Sequence, residues 1–191
     1  MNIKNKLILT SAALLLTANT SAATFDFENI ADNESPTATL DSFTDNPVGP
    51  LYTGERGAFE MNFSSGGINL TATAKSNDGN DEPYFAYLDA GNAGLGVCKN
   101  ATGGSTEDQC NPSNDDNVTP GEVLVLEFDQ KVTITDTTFR NGGHGDSFSG
   151  TFDLTIDDVD LGPFDLEYLF TTHLTGTTFE FSNANLSETN E

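Results

Sequence analysis

The amino-acid sequence predicts an all-β fold, an antiparallel β-sandwich of jelly-roll type, and three observations predict it. Short runs alternate apolar and polar residues with a period of two. Turns rich in Gly, Asn and Asp separate these runs. Beyond the first 23 residues, no stretch of eleven or more residues carries a 3.6-residue apolar period.

Residues 1–23 read as a secretory signal peptide rather than as part of the fold. MNIKNK places Lys4 and Lys6 ahead of the apolar LILTSAALLLTA, and small residues follow. The apolar core is shorter than the ~20 residues a membrane span needs. Cleavage is expected after Ala23, with Ala22 as the other choice, so residues 24–191 are expected to fold as a single β-sandwich domain. No later segment has the length and apolarity for direct membrane insertion.

The strands follow in order. TFDFENI puts Phe25 and Phe27 on one face, and GAFEMNF does the same for Phe59, Met61 and Phe63. INLTATA aligns Ile68, Leu70, Ala72 and Ala74. EVLVLEF is apolar on both sides, with Leu124, Leu126 and Phe128 opposite Val123 and Val125, which predicts a strand in the middle of a sheet. KVTITDT, SGTFDLTID and GTTFEFS complete the set. SSGG at 64–67, SNDGNDE at 76–82, NGGHGD at 141–146 and DDVDLG at 157–162 are the predicted turns. With 14 phenylalanines and no tryptophan, the core is expected to rest mainly on Phe.

The formal charge is −23. After the leader, the only cations to set against 30 Asp and Glu are Arg56, Lys75, Lys99, Lys131 and Arg140. Nucleic-acid binding needs a basic footprint, and none is present. Two readings of the acidity stand side by side, solubility in salty water and calcium binding. The candidate calcium ligands are Asp78 and Asp81 in the first acidic turn, Asp108 inside the cysteine loop, Asp115 and Asp116 after it, and Asp157 and Asp158 in a late turn. None follows the EF-hand spacing, and the alternative is a solvated turn.

Cys98 and Cys110 are the only two cysteines. Export implies an oxidising compartment, and two nearby cysteines there predict a disulfide, with free thiols as the alternative. A Cys-x-x-Cys redox pair is absent, and His144 and His173 are too few to complete a zinc site. Closing a loop of this size is worth about 3 kcal/mol in the chain-entropy picture.

No catalytic residue is assigned. Neither histidine lies in a nucleophile motif, and G-x-S-x-G is missing. Asp165 and Glu167 could share a strand face, but such pairs are common in so acidic a chain, so enzyme activity is not expected. For a sugar ligand the candidate stacking residues are Tyr84 and Tyr87. Their odd spacing would point them to opposite sides of one regular strand.

The stretch from Gly94 to Cys98, GLGVC, followed by C-x-x-x-x-D-D-N-V-x-x-G-E from Cys110 to Glu122, resembles secreted β-sandwich proteins of Gram-negative bacteria that carry a PEP-CTERM sorting signal. The resemblance covers about residues 24–185. It implies export to the cell surface or medium, handling by an exosortase, and association with exopolysaccharide in a biofilm matrix. The Pro-Glu-Pro motif, apolar helix and basic cluster that end such proteins are absent from the sequence. The chain therefore reads as a truncated product or a soluble variant. It stops soon after TFEF, where the family has a final strand, and a missing last strand would leave a sheet edge unpaired.

These readings converge on a non-enzymatic surface or matrix protein that binds extracellular polysaccharide with calcium assisting. The other readings are a purely structural or adhesive matrix protein without a small ligand, and a divergent glycan-active enzyme.

Overall fold

A computed structural model describes residues 22–32, 39–43, 56–77, 83–102, 109–111, 117–140, 143–145, 150–165 and 173–183. Among these the fold is almost entirely antiparallel β-sheet. The exception is α1 (Phe27–Ala31), where an extended TFDFENI strand is expected. Asp26 explains the difference. Its carboxylate accepts the Asn29 N–H at 3.1 Å and so caps the helix at its first turn. The Phe25–Phe27 alternation is too short to outweigh that cap.

The strands are β1 (Thr39–Phe43), β2 (Arg56–Ala58), β3 (Met61–Ser65), β4 (Ile68–Ser76), β5 (Pro83–Asp89), β6 (Gly94–Cys98), β7 (Ala101–Thr102), β8 (Gln109–Cys110), β9 (Glu122–Ile134), β10 (Thr151–Ile156), β11 (Val159–Asp165) and β12 (Leu174–Asn183). The main sheet runs β1-β3-β4-β9-β12-β10-β11. A smaller layer, β2-β5-β6, joins it through the start of β5, where Ala74 pairs with Tyr84 and Lys75 with Pro83. β7 and β8 form a separate ribbon.

EVLVLEF lies in the middle of the sheet, between β4 and β12. It continues without a break into KVTITDT, so two expected strands are one strand of 13 residues. TFEF is also interior. β12 is hydrogen-bonded to β9 on one side and β10 on the other, and the ends of the main path are β1 and β11.

Register converts the alternation into a core. Met61, Ala72, Leu126, Phe179 and Ile156 lie in one row across five strands, and Ala74, Leu124, Phe181 and Leu154 form the next. All are buried, together with Ala58, Ala86, Leu88 and Val97 from the smaller layer and Ile30 and Ala31 from α1. Phe25 packs edge-on against Phe128, and Phe27 against Phe63. The N-terminal segment thus covers one part of the main sheet while the smaller layer covers another. Each large side chain removed from water contributes roughly 1.5–3 kcal/mol.

Two tight hairpins need left-handed backbone. Ser65 pairs with Ile68 across Gly66 and Gly67, whose φ angles are 56° and 81°. Ile156 pairs with Val159 across Asp157 and Asp158, at 48° and 64°. Positive φ at both central residues is the turn that matches strand twist, supplied by Gly in one case and Asp in the other.

GAFEMNF is not one strand. The chain bends at Phe59 and Glu60 as it passes from the smaller layer to the main sheet. Met61 and Phe63 enter the core, while Phe59 is 41% exposed.

The most crowded point lies on β12. Two steps along β12, from Gly176 to Thr178, match five along β9, from Val132 to Glu127. A Cβ at Gly176 would collide with Ile156 Cγ2. Gly176→Ala is therefore expected to destabilise the protein by about 1–3 kcal/mol, the cost of overpacking. The midpoint of urea unfolding measures it, and an unchanged midpoint would show that β10 moves aside freely.

Candidate functional site: the disulfide-closed face and the outer sheet face

Cys98 ends β6 and Cys110 ends β8, and a disulfide joins them with Cα atoms 5.7 Å apart. The pairing expected from the sequence is present. The β7–β8 ribbon is thereby held at the outer face of the smaller layer, the side turned away from the main core. Tyr87 fills that face. It pairs in register with Gly57 on β2 and Gly96 on β6, so neither neighbour presents a side chain against its ring. A Cβ at Gly57 would stand 3.3 Å from Tyr87 Cδ2. Tyr87 is 0% exposed, and its hydroxyl accepts the Cys110 N–H at 3.3 Å.

This corrects the stacking role expected for Tyr87, because a fully buried ring offers no face to a ligand. Tyr84 does not lie beside it. It points to the opposite side of β5 and is half-buried against the main core. Phe59 is 41% exposed. Its ring stacks on Phe85, with centroids 4.3 Å apart and planes inclined by 23°. Phe85 itself packs against Tyr87, Cys98 and Cys110.

The same stretch carries a second clamp. Glu122 begins β9 with its side chain wholly buried, and Lys99 follows Cys98 directly. Lys99 Nζ lies 3.0 Å from Glu122 Oε1 and donates to Thr119 Oγ1 at 3.3 Å. The Thr119 N–H donates to Glu122 Oε2 at 2.5 Å, and the Glu122 N–H returns to the Thr119 carbonyl at 3.1 Å. Burial raises the Glu122 pKa above its ordinary value, and the Thr119 amide and Lys99 only partly offset this.

Of the expected calcium ligands, Asp78, Asp81, Asp108, Asp115 and Asp116 lie outside the described residues. Asp157 and Asp158 form the β10–β11 turn. Asp157 Oδ1 accepts the Thr177 and Thr178 N–H groups at 2.8 and 2.9 Å, at the point where β12 loses register with β9. These bonds, Thr178 first, hold its pKa below the ordinary carboxylate value. Its position is accounted for by closing the sheet. Among the described residues no three His, Cys, Asp or Glu side chains gather as a metal-binding group.

His144 is fastened between two acceptors. Nδ1 lies 2.7 Å from the Gly91 carbonyl, and Nε2 lies 3.0 Å from Asp89 Oδ2. Both ring nitrogens are thus engaged. From the other side, Asp32 accepts the Gly91 and Asn92 N–H groups, so the β5–β6 turn is pinned twice. His173 is exposed, as is Asp165, while Glu167 lies outside the described residues.

The outer face of the main sheet holds two shallow clefts. One, of about 280 Å³, spans β4, β9, β12 and β10, and the Lys75–Glu180 ion pair at 2.8 Å crosses it. The other, of about 350 Å³, is lined by Glu60, Asn69, Thr71, Glu127, Phe128 and Asp129. Two of its three carboxylates, Glu60 and Asp129, are held by amides. Asn62 donates to Glu60 at 2.9 Å, and the Asn69 backbone and side-chain amides both donate to Asp129, at 3.1 and 2.7 Å. Thr71 donates to Asn62 at 2.8 Å. Neither cleft stood out in the sequence, since both arise from residues on different strands.

Glu122 and Asp157 give opposite pH signatures. The raised Glu122 pKa favours the fold fully below 4.5, and that contribution is lost as pH rises through the raised folded value. The lowered Asp157 pKa favours the fold above 3.8, and its contribution is lost as pH falls through the depressed folded value. Glu122→Gln is expected to flatten stability against pH between 4.5 and neutrality, and Asp157→Asn to flatten it below 3.8. Thermal unfolding of both variants from pH 2 to 8 checks this, and parallel profiles for wild type and variants would contradict it.

Comparison of the chain with protein-family models, with curated proteins and with solved structures returns no match.

Proposed function

We propose that this is a non-enzymatic, exported surface or matrix protein that binds extracellular polysaccharide, with calcium assisting. The observation that carries this reading is the cleft at Glu60, Asn69, Thr71, Glu127 and Asp129. Sugar hydroxyls need acceptors and donors fixed in advance, and the amide-held Glu60 and Asp129 of this cleft meet that need at little ordering cost. The disulfide suits an oxidising compartment. No helix among the described residues is long and apolar enough to cross a membrane. The engagement of both His144 nitrogens supports a binding role over acid–base chemistry. The calcium component rests on the acidic composition of residues 76–82 and 107–117.

A purely structural or adhesive role is the second reading, and one observation favours it. Val159 and Leu161 on the edge strand β11 are 57% and 44% exposed, an apolar strip of the kind that promotes association.

A glycan array run with calcium and again with a chelator separates the two. The proposal expects binding to at least one polysaccharide, weakened by the chelator. Concentration-dependent self-association without binding to any glycan would favour the second reading and overturn the first.

A further inference from the structure

β9 is apolar on both faces, and the core needs only one of them. Leu124, Leu126 and Phe128 face inward, while Val123 and Val125 lie on the outer face of the sheet. Their neighbours there are fixed by register. Lys75 on β4 and Ser182 on β12 flank Val123, and Thr73 and Glu180 flank Val125. Lys75 and Glu180 thus stand on opposite sides of β9, and they meet across it at 2.8 Å. The result is the cleft of about 280 Å³, with Val123 as an apolar floor, an ammonium on one wall and a carboxylate on the other. Thr155 and Ser182 line it beside the carboxylate, and their hydroxyls carry no other hydrogen bond among the described residues.

Neither charge is used up by the pair. An ammonium offers three donors and a carboxylate two acceptor oxygens. The contact runs from Lys75 Nζ to Glu180 Oε1 alone, and the two side chains remain 41% and 24% exposed. An ion pair as exposed as this adds little to stability, so it parts for a ligand at little cost to the fold.

These walls set the ligand's chemistry. It must present an acceptor to Lys75, a donor to Glu180 on the opposite side, and an apolar end to Val123. A secondary amide has its carbonyl and its N–H on opposite sides of one plane, and both of its hydrogen bonds here are assisted by charge. In an acetamide a methyl group supplies the apolar end, which a hydroxyl lacks. The formal charge of −23 repels uronates and sulfated sugars but leaves a neutral amide unaffected. The volume falls just below the ~300–1,000 Å³ of ordinary ligand sites, which suits a single sugar residue.

We infer that the Lys75–Glu180 cleft is a subsite for the acetamido group of an N-acetylated hexosamine, with the carbonyl on Lys75, the N–H on Glu180 and the methyl on Val123. This rests on the polysaccharide-binding reading above and joins the second cleft to it. Thr71 and Glu127 line one cleft and Lys75 and Val123 the other, with Thr73 and Val125 between them on the same face. Thr71 and Lys75 are about 13 Å apart along β4, so one extended glycan reaches both clefts.

The experiment uses three pairs of neutral oligosaccharides, of gluco, galacto and manno configuration, each pair differing only in an acetamido or a hydroxyl group at C2. An N-acetylated tripeptide is the control for a peptide ligand. Calorimetry in calcium-containing buffer reads affinity for wild type, Lys75→Met and Glu180→Gln, and urea unfolding confirms that the variants fold. At least one acetylated sugar is expected to bind wild type about tenfold more tightly than its hydroxyl counterpart, since two charge-assisted bonds distinguish them. Each variant is expected to remove most of that difference and to leave the hydroxyl counterpart unchanged. Saturation-transfer NMR is expected to mark the acetamido methyl most strongly. Equal affinity within every pair, undiminished preference in both variants, or an unmarked methyl overturns the inference and leaves the broader reading standing. Binding of the tripeptide in place of every sugar also overturns it, in favour of a peptide ligand. If wild type binds no member of the panel but binds another glycan on the array, the inference alone falls, and if it binds no glycan at all both fall.

Discussion

A carboxylate buried at the first residue of the central strand is the constraint around which the two sheet layers are joined. Glu122 could not occupy that position alone, because a charge removed from water without a partner is costly. Lys99 and the Thr119 amide meet its two oxygens. Lys99 in turn adjoins Cys98, so the group that neutralises the central strand is anchored to the disulfide. The smaller layer, the ribbon and β9 are therefore tied at one place by one covalent bond and one ion pair. Such a pair does not by itself add much net stability. Its consequence is positional, since it sets where β9 begins relative to β6.

From that start β9 organises the sheet. Its inner side chains set the rows that bury Phe179, Phe181, Leu154 and Ile156. Its far half outruns β12, and Asp157 takes up the two amides at the mismatch. The outer face is left polar, with threonines, amides and carboxylates in register. The functional reading grows from this division. One side of the main sheet is spent on the core, and the other presents ordered hydrogen-bonding groups to the surroundings.

Much of the fold was legible because alternation is local. β4 and β10 bury the residues that their period-two pattern assigns, and the two-sided apolarity of EVLVLEF marks it as interior. Errors arose where another local force won. The Asp26 cap turned Phe27–Ala31 into a helix, and the bend at Phe59 broke a run whose alternation is otherwise regular. The disulfide was legible from export and cysteine count. The face it closes was not. Tyr87 is buried because Gly57 and Gly96 flank it from other strands, which is a fact of register. Glu122 read as one more acid in an acidic chain, since its partner lies in a distant segment and burial cannot be seen from composition. The charge of Asp157 is plain in the sequence, but its bonds to Thr177 and Thr178 depend on an offset between strands that no motif announces.

The coupling between Lys99 and Glu122 tests the central claim most directly. A double-mutant cycle with Lys99→Met and Glu122→Gln, followed by urea unfolding at neutral pH, isolates it. The account predicts a favourable coupling within the range of about 0.5–3 kcal/mol seen for interacting pairs, toward the lower end because solvent screens a lysine side chain that is 35% exposed. Single-variant effects that simply add would contradict it, and would mean that the start of β9 is held by the disulfide and the backbone alone.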